Sequence, residues 1–73
     1  MIIHTINHIY KLEDIGDGGF IMSSNNPNYP GPVMVSLYDP PERGQFAYMK
    51  FLEGPKINRT LITTPIVSVC VNR

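Results

Sequence analysis

Apolar and polar residues alternate with a period of two along most of this 73-residue chain, and the alternation breaks repeatedly on glycine and proline. A period of two sends successive side chains to opposite faces of a strand. Five strands are predicted on this basis. The first covers residues 2–12, with Ile2, Ile6, Tyr10 and Leu12 on one side and His4 and His8 interspersed there. Its phase changes where Ile9 and Tyr10 are adjacent, so a bulge is expected at Asn7-His8. An acidic, glycine-rich turn over 13–19 leads to a short strand at 20–24, because Asp-Gly and Gly-Gly supply the positive φ that hairpin turns need. Further strands are predicted at 33–38, at 45–52 and at 60–71, the last split by Pro65. Proline cannot donate to a β ladder, so Pro65 belongs on an edge, at a strand start or at a bulge. The run 66–71 then reads as the most deeply buried strand, with Val67, Val69 and Val71 on one face and Ile66 and Cys70 on the other.

Segment 46–52, FAYMKFL, also contains acceptable helix formers, and Phe46, Met49 and Lys50 would be neighbours on a helix. Its shortness, its aromatic content and the flanking Gly44 and Gly54 favour a strand. Seven prolines and six glycines leave little room for helices elsewhere. The expected fold is all-β, one small domain over 1–73 built as a barrel or sandwich of about five short antiparallel strands.

A chain of this length buries only about 60% of the surface it exposes when unfolded. Small domains of this kind usually take support from disulfides, a metal or a partner subunit. Cys70 is the single cysteine, which rules out an intrachain disulfide, and no Cys/His cluster has metal spacing. Self-association is therefore the expected supplement. Six basic residues balance six acidic ones, which argues against a nucleic-acid partner because such proteins carry a basic excess or stripe. The opening MIIHTINHIYKL lacks the charged start and apolar block of a signal peptide, and no apolar run is long enough to span a bilayer. A cytoplasmic protein without a membrane role is expected, and a lone reduced cysteine agrees with that compartment.

Candidate chemistry is sparse. His4 and His8, four residues apart on one strand, would lie about 13 Å from each other, too far to share a metal. Cys70 stands in an apolar run with no basic neighbour and reads as a small hydrophobe rather than a nucleophile. The chain has no nucleophile elbow, no H-E-x-x-H and no phosphate-binding glycine loop. The carboxylates of 13–19 are too few for a calcium loop. Asn58-Arg59-Thr60 matches a glycosylation sequon, which matters only for a secreted chain. No enzyme activity, cofactor or metal is expected.

Binding is the remaining class. Segment 23–32, SSNNPNYPGP, holds three prolines, three asparagines and a tyrosine, and it is too proline-rich for a helix or a central strand. It is either a stiffened linker across the barrel or a recognition loop, and its length exceeds the usual 4–6 residues of a connection. In the second case Asn25, Asn26 and Asn28 supply amide groups and Tyr29 a flat amphipathic surface. Pro27-x-x-Pro30 also fits the spacing of a polyproline-type ligand, and Tyr29-Pro30 is a candidate cis bond. Arg43, in the loop 39–44, and Lys56 and Arg59, in the next turn, would form a cationic mouth if those loops gather at one end.

The two ends of the chain resemble short, largely uncharacterised proteins encoded by bacteriophages and prophages. Thr5, Asn7, Tyr10 and Leu12 stand in the pattern T-x-N-x-x-Y-x-L, and Arg59, Thr60, Leu61, Thr63, Thr64, Pro65, Ile66 and Val67 in R-T-L-x-T-T-P-I-V. The resemblance covers about a third of the chain, leaves out the asparagine-proline loop, and brings no catalytic residues with it. It implies a phage-type accessory protein acting in the host cytoplasm. Three binding functions are compatible with it: docking on a host protein through Tyr29, Asn28 and Arg43, sequestration of a small nucleotide-like signal between subunits, and a structural part of a virion or larger assembly. In the second, Lys56 and Arg59 would hold phosphate while Tyr29 or Tyr48 stacks on a base.

Overall fold

The computed structural model describes residues 1–71. Six antiparallel strands close into a barrel: β1 (Ile2–Thr5), β2 (Ile9–Gly16), β3 (Gly19–Ser24), β4 (Val33–Leu37), β5 (Phe46–Phe51) and β6 (Thr60–Cys70). Each strand pairs with its successor in the sequence, and β6 returns to β1, which leaves no open sheet edge. The small all-β barrel matches the alternation pattern, with six strands instead of five.

The additional strand comes from residues 2–12, which are a hairpin and not one bulged strand. Thr5 turns the chain. Its Oγ1 accepts from the His8 N–H at 3.1 Å and donates to the His8 carbonyl at 3.0 Å, while its own N–H reaches the same carbonyl at 2.9 Å. The reversal sets Ile3 opposite Tyr10, both facing inward, and leaves Ile6 exposed on the turn. The phase change at Ile9-Tyr10 is the mark of this reversal. The next turn is tighter than residues 13–19: Glu13 and Asp14 pair with β3, and only Asp17 and Gly18 turn the corner. Both have positive φ, 54° and 76°, as a two-residue hairpin loop of this kind requires.

Segment 46–51 is a strand, with Ala47, Met49 and Phe51 buried and Phe46 and Tyr48 exposed. Its partner β6 runs unbroken through Pro65 and bends by carrying two extra residues. One lies between the pairs Tyr48↔Ile62 and Phe46↔Pro65, the other at Val67, between Thr5↔Ile66 and His4↔Ser68. Such bulges bend a strand and raise its twist, which lets the first half of β6 serve β5 and the second half serve β1. They also change which side chains face inward. Leu61, Thr63 and Ile66 are buried and Val69 packs against the core, whereas Val67, Cys70 and Val71 are exposed. Strict alternation therefore misreads 66–71, which is not the most deeply buried strand, and Cys70 is not a core residue.

The interior is filled by Ile3, Tyr10, Leu12, Met22, Val35, Ala47, Met49, Phe51, Leu61 and Ile66, contributed by all six strands. Fully burying one such large apolar side chain stabilises by roughly 1.5–3 kcal/mol. The polar groups drawn inside are served locally. At the first bulge of β6, Thr63 Oγ1 accepts the Ala47 N–H at 3.0 Å and donates to the Thr64 carbonyl at 2.8 Å. Among the described residues no buried side-chain nitrogen or oxygen lacks a partner.

Candidate functional site

An up-and-down barrel sends alternate connections to opposite ends. The β3–β4 loop (25–32) and the β5–β6 loop (52–59) share one end, and the β4–β5 loop (38–45) leaves from the other. Lys56 and Arg59 therefore accompany the asparagine-proline loop, while Arg43 lies away from them. A mouth lined by all three cations does not form.

The asparagine-proline loop is held by its own polar groups. Asn25 continues the pairing of the strand end: its N–H donates to the Ile9 carbonyl at 3.3 Å, and its Oδ1 accepts the Ile9 N–H at 2.8 Å. Asn26 is buried, and its Nδ2 donates to the Tyr10 hydroxyl at 3.0 Å. Its Oδ1 accepts the Asn28 N–H and its carbonyl the Tyr29 N–H, both at 3.0 Å, so residues 26–29 form a turn with Pro27 at the position where a fixed φ helps most. The Pro27–Pro30 spacing thus belongs to a turn and not to an extended polyproline arm. Ser24 closes the loop, donating from its Oγ to the Tyr29 carbonyl at 2.6 Å and from its N–H to the Pro30 carbonyl at 3.0 Å. The cis bond of the loop is Gly31-Pro32, not Tyr29-Pro30. Gly31 has a φ of +72°, and a Cβ there would press into the Met22 carbonyl of β3, so only glycine lets the chain pass this close.

Tyr29 is the link to the second loop. Its ring stacks on Phe51 of β5, with centroids 5.6 Å apart and planes inclined by 24°. Lys56 Nζ lies 4.2 Å from the Tyr29 ring centroid and donates to the Asn28 carbonyl at 3.1 Å. The 52–59 loop is itself a pair of tight turns, with Ile57 N–H on Gly54 O, Arg59 N–H on Lys56 O and Asn58 N–H on Phe51 O. Asn58, with φ 68°, occupies the left-handed conformation that asparagine tolerates better than most residues, a structural use for the sequon asparagine. Between the loops lies a groove of about 170 Å³ lined by Asn28, Tyr29, Pro30, Val33, Glu53 and Lys56, among others. Glu53 Oε1 also accepts the Met34 N–H at 3.0 Å, which fixes its carboxylate beside the first residues of β4.

The predicted binding residues divide accordingly. Asn25, Asn26 and Tyr29 build the loop, Lys56 ties the two loops together, and Asn28 and Arg59 are exposed at the same end of the barrel. Phe51 and Glu53 are the partners that sequence reading passes over. Phe51 has a signal, as the inward aromatic closing the alternation of 46–52. Glu53 has none, because only the fold brings it to Met34. His4 lies within β1 and His8 in the turn that follows it, and among the described residues no three His, Cys, Asp or Glu side chains cluster for a metal ion. Among the described residues no helix is long and apolar enough to cross a membrane. No protein-family model, curated protein or solved structure matches the chain.

Proposed function

We propose that the protein acts by binding, without chemistry of its own, and that it docks on another protein through the end of the barrel carrying the 25–32 and 52–59 loops. The observation that carries this reading is the fixed shape of that end. The polar loop 25–32 is held in one geometry by Asn25, Asn26, Ser24 and the Lys56–Tyr29–Phe51 stack, with Asn28 and Arg59 exposed beside it. A surface ordered in advance loses less side-chain and loop entropy on association. The resemblance of the chain ends to phage proteins supports a host protein as the partner, and an accessory role in modulating a host process or defence.

At the Tyr29 loop end, size and stacking favour this over capture of a nucleotide-like signal. The groove of about 170 Å³ suits a side chain or two, whereas small-molecule sites run to about 300–1,000 Å³. One face of the Tyr29 ring is taken by Phe51, and Lys56 Nζ also lies over the ring. A base would have to displace one of them.

The test is chemical cross-linking of the untagged protein in bacterial host extract, followed by affinity measurement with the purified polypeptide it captures. Arg59→Ala and Asn28→Ala should each weaken that complex by more than about 1 kcal/mol, the scale of an interface anchor, with unchanged melting temperature. Full affinity in the Asn28→Ala/Arg59→Ala double variant would remove this end of the barrel from the function. Co-purifying mass of a few hundred daltons in place of a polypeptide would favour the nucleotide reading.

A further inference from the structure

The outer face of β4, β5 and β6 carries an apolar surface that neither the core nor the loop end uses. Tyr48 of β5 lies directly opposite Ile62 of β6, and Phe46 extends the same outward row of β5. Tyr38, just past β4, reaches across β5, with its hydroxyl 3.0 Å from Thr60 Oγ1 of β6. Tyr38, Phe46, Tyr48 and Ile62 are 54%, 49%, 41% and 58% exposed. With large side chains of about 150–250 Å² each, the four leave on the order of 400 Å² of largely apolar surface facing water. Two shallow hollows adjoin it and share Asp39 and Tyr48, one of about 360 Å³ under the 39–42 segment and one of about 340 Å³ beside Tyr38 and Thr60.

We propose that this face is the interface of a two-fold homodimer, with Tyr48 and Ile62 of one protomer packed on the same residues of the other. Area, charge and topology commit it to a second copy. A standard interface takes about 800 Å² from each partner, a little over half of it apolar, which is close to what the four side chains present. The charges at the two ends of the outward row are complementary. Glu42 lines the hollow next to Phe46, with Asp39 between that hollow and the one at Tyr38 and Thr60, whereas Lys50 stands at the opposite end, about 13 Å beyond Phe46 along β5 at strand rise. A two-fold axis through the Tyr48 region reverses that row on its partner, so Lys50 of each copy meets the carboxylate end of the other, a self-complementary arrangement. The closed barrel has no unpaired edge through which strands of two copies could join, so association must use a face.

Sedimentation equilibrium and native mass spectrometry of the untagged protein, from about 1 to 500 µM, provide the test. The wild type should form a dimer and nothing larger, with a dissociation constant in the micromolar range. Ile62→Lys should raise that constant by more than about tenfold, because a two-fold axis counts each substitution twice, while circular dichroism shows an intact barrel. Charge reversal gives a second readout that a general loss of stability does not move. Lys50→Glu and Asp39→Lys/Glu42→Lys should each weaken the dimer, and the triple variant should restore it. A monomer throughout the concentration range, an unaltered dimer in Ile62→Lys, or no rescue in the triple variant would overturn the proposal. The docking reading of the loop end is unaffected by any of these results, since it is read from a different surface.

Discussion

Tyr10 is the largest side chain fully buried in the barrel, and its hydroxyl is the one part of it that needs a polar partner. Asn26 supplies that partner from the loop, and its amide is buried in the same contact. Tyr10→Phe should therefore cost about 1–3 kcal/mol in urea unfolding, the penalty for an amide left without an acceptor, although only one oxygen is removed. Asn26→Ala should cost at least as much because it also dissolves the turn over Pro27, and the double variant should cost less than the sum. A Tyr10→Phe midpoint equal to that of wild type would mean the amide finds another acceptor. Gly31 and Gly44 form a second comparison at the same scale. Both have positive φ, but a Cβ at Gly44 meets open space while one at Gly31 meets the β3 backbone. Gly44→Ala should cost about 1–2 kcal/mol for the left-handed backbone alone, and Gly31→Ala clearly more. Equal losses at the two sites would show that β3 yields. Asparagine and glycine in a long loop are visible in the sequence as turn formers, but nothing in the sequence pairs Asn26 with Tyr10, sixteen residues away.

The two strands that depart most from the alternation pattern depart for local reasons. In β1–β2 a single threonine hydroxyl makes a turn with no glycine or proline to announce it, so the only trace of the reversal in the sequence is the shift of the inward positions from Ile3 and Thr5 to Tyr10 and Leu12. In β6 two extra residues move the inward positions to 61, 63, 66 and 69, which a strict count of every second residue cannot follow. The other strands, with regular alternation and glycine or proline at both ends, fall where the pattern places them. The bulges depend on side chains that replace the missing ladder bonds, above all Thr63 for the Ala47 N–H. Thr63→Val keeps the shape and β propensity and removes the acceptor. It should destabilise by about 1–3 kcal/mol, with hydrogen exchange at Ala47 accelerated beyond that of its neighbours. Uniform acceleration along β5 would point to lost packing in place of the lost bond. The candidate site was legible by the same logic only in part. Proline and asparagine mark the loop as fixed, while the Tyr29–Phe51–Lys56 stack depends on two loops meeting at one barrel end, which only the strand order determines.

A single barrel of this size, without disulfide or metal cluster among the described residues, has a core of ten buried apolar side chains and a large exposed apolar face beside it. One core of this scale rarely supplies more than about 3–5 kcal/mol. The dimer proposed above joins these two facts, because association that involves only the folded state stabilises that state by mass action. Once the protein is well above its dissociation constant, each tenfold rise in concentration should add about 1.4 kcal/mol to the unfolding free energy per mole of dimer. The urea midpoint of the wild type should therefore climb with protein concentration, and that of Ile62→Lys should stay level over the same range. The distinction is sharp because both proteins share one core. If the Ile62→Lys midpoint lies below the wild type by the same amount at every concentration, the residue stabilises the monomer, and the exposed face has no part in association. If the two midpoints converge on dilution, the barrel is complete alone and the face adds its stability only when a second copy covers it.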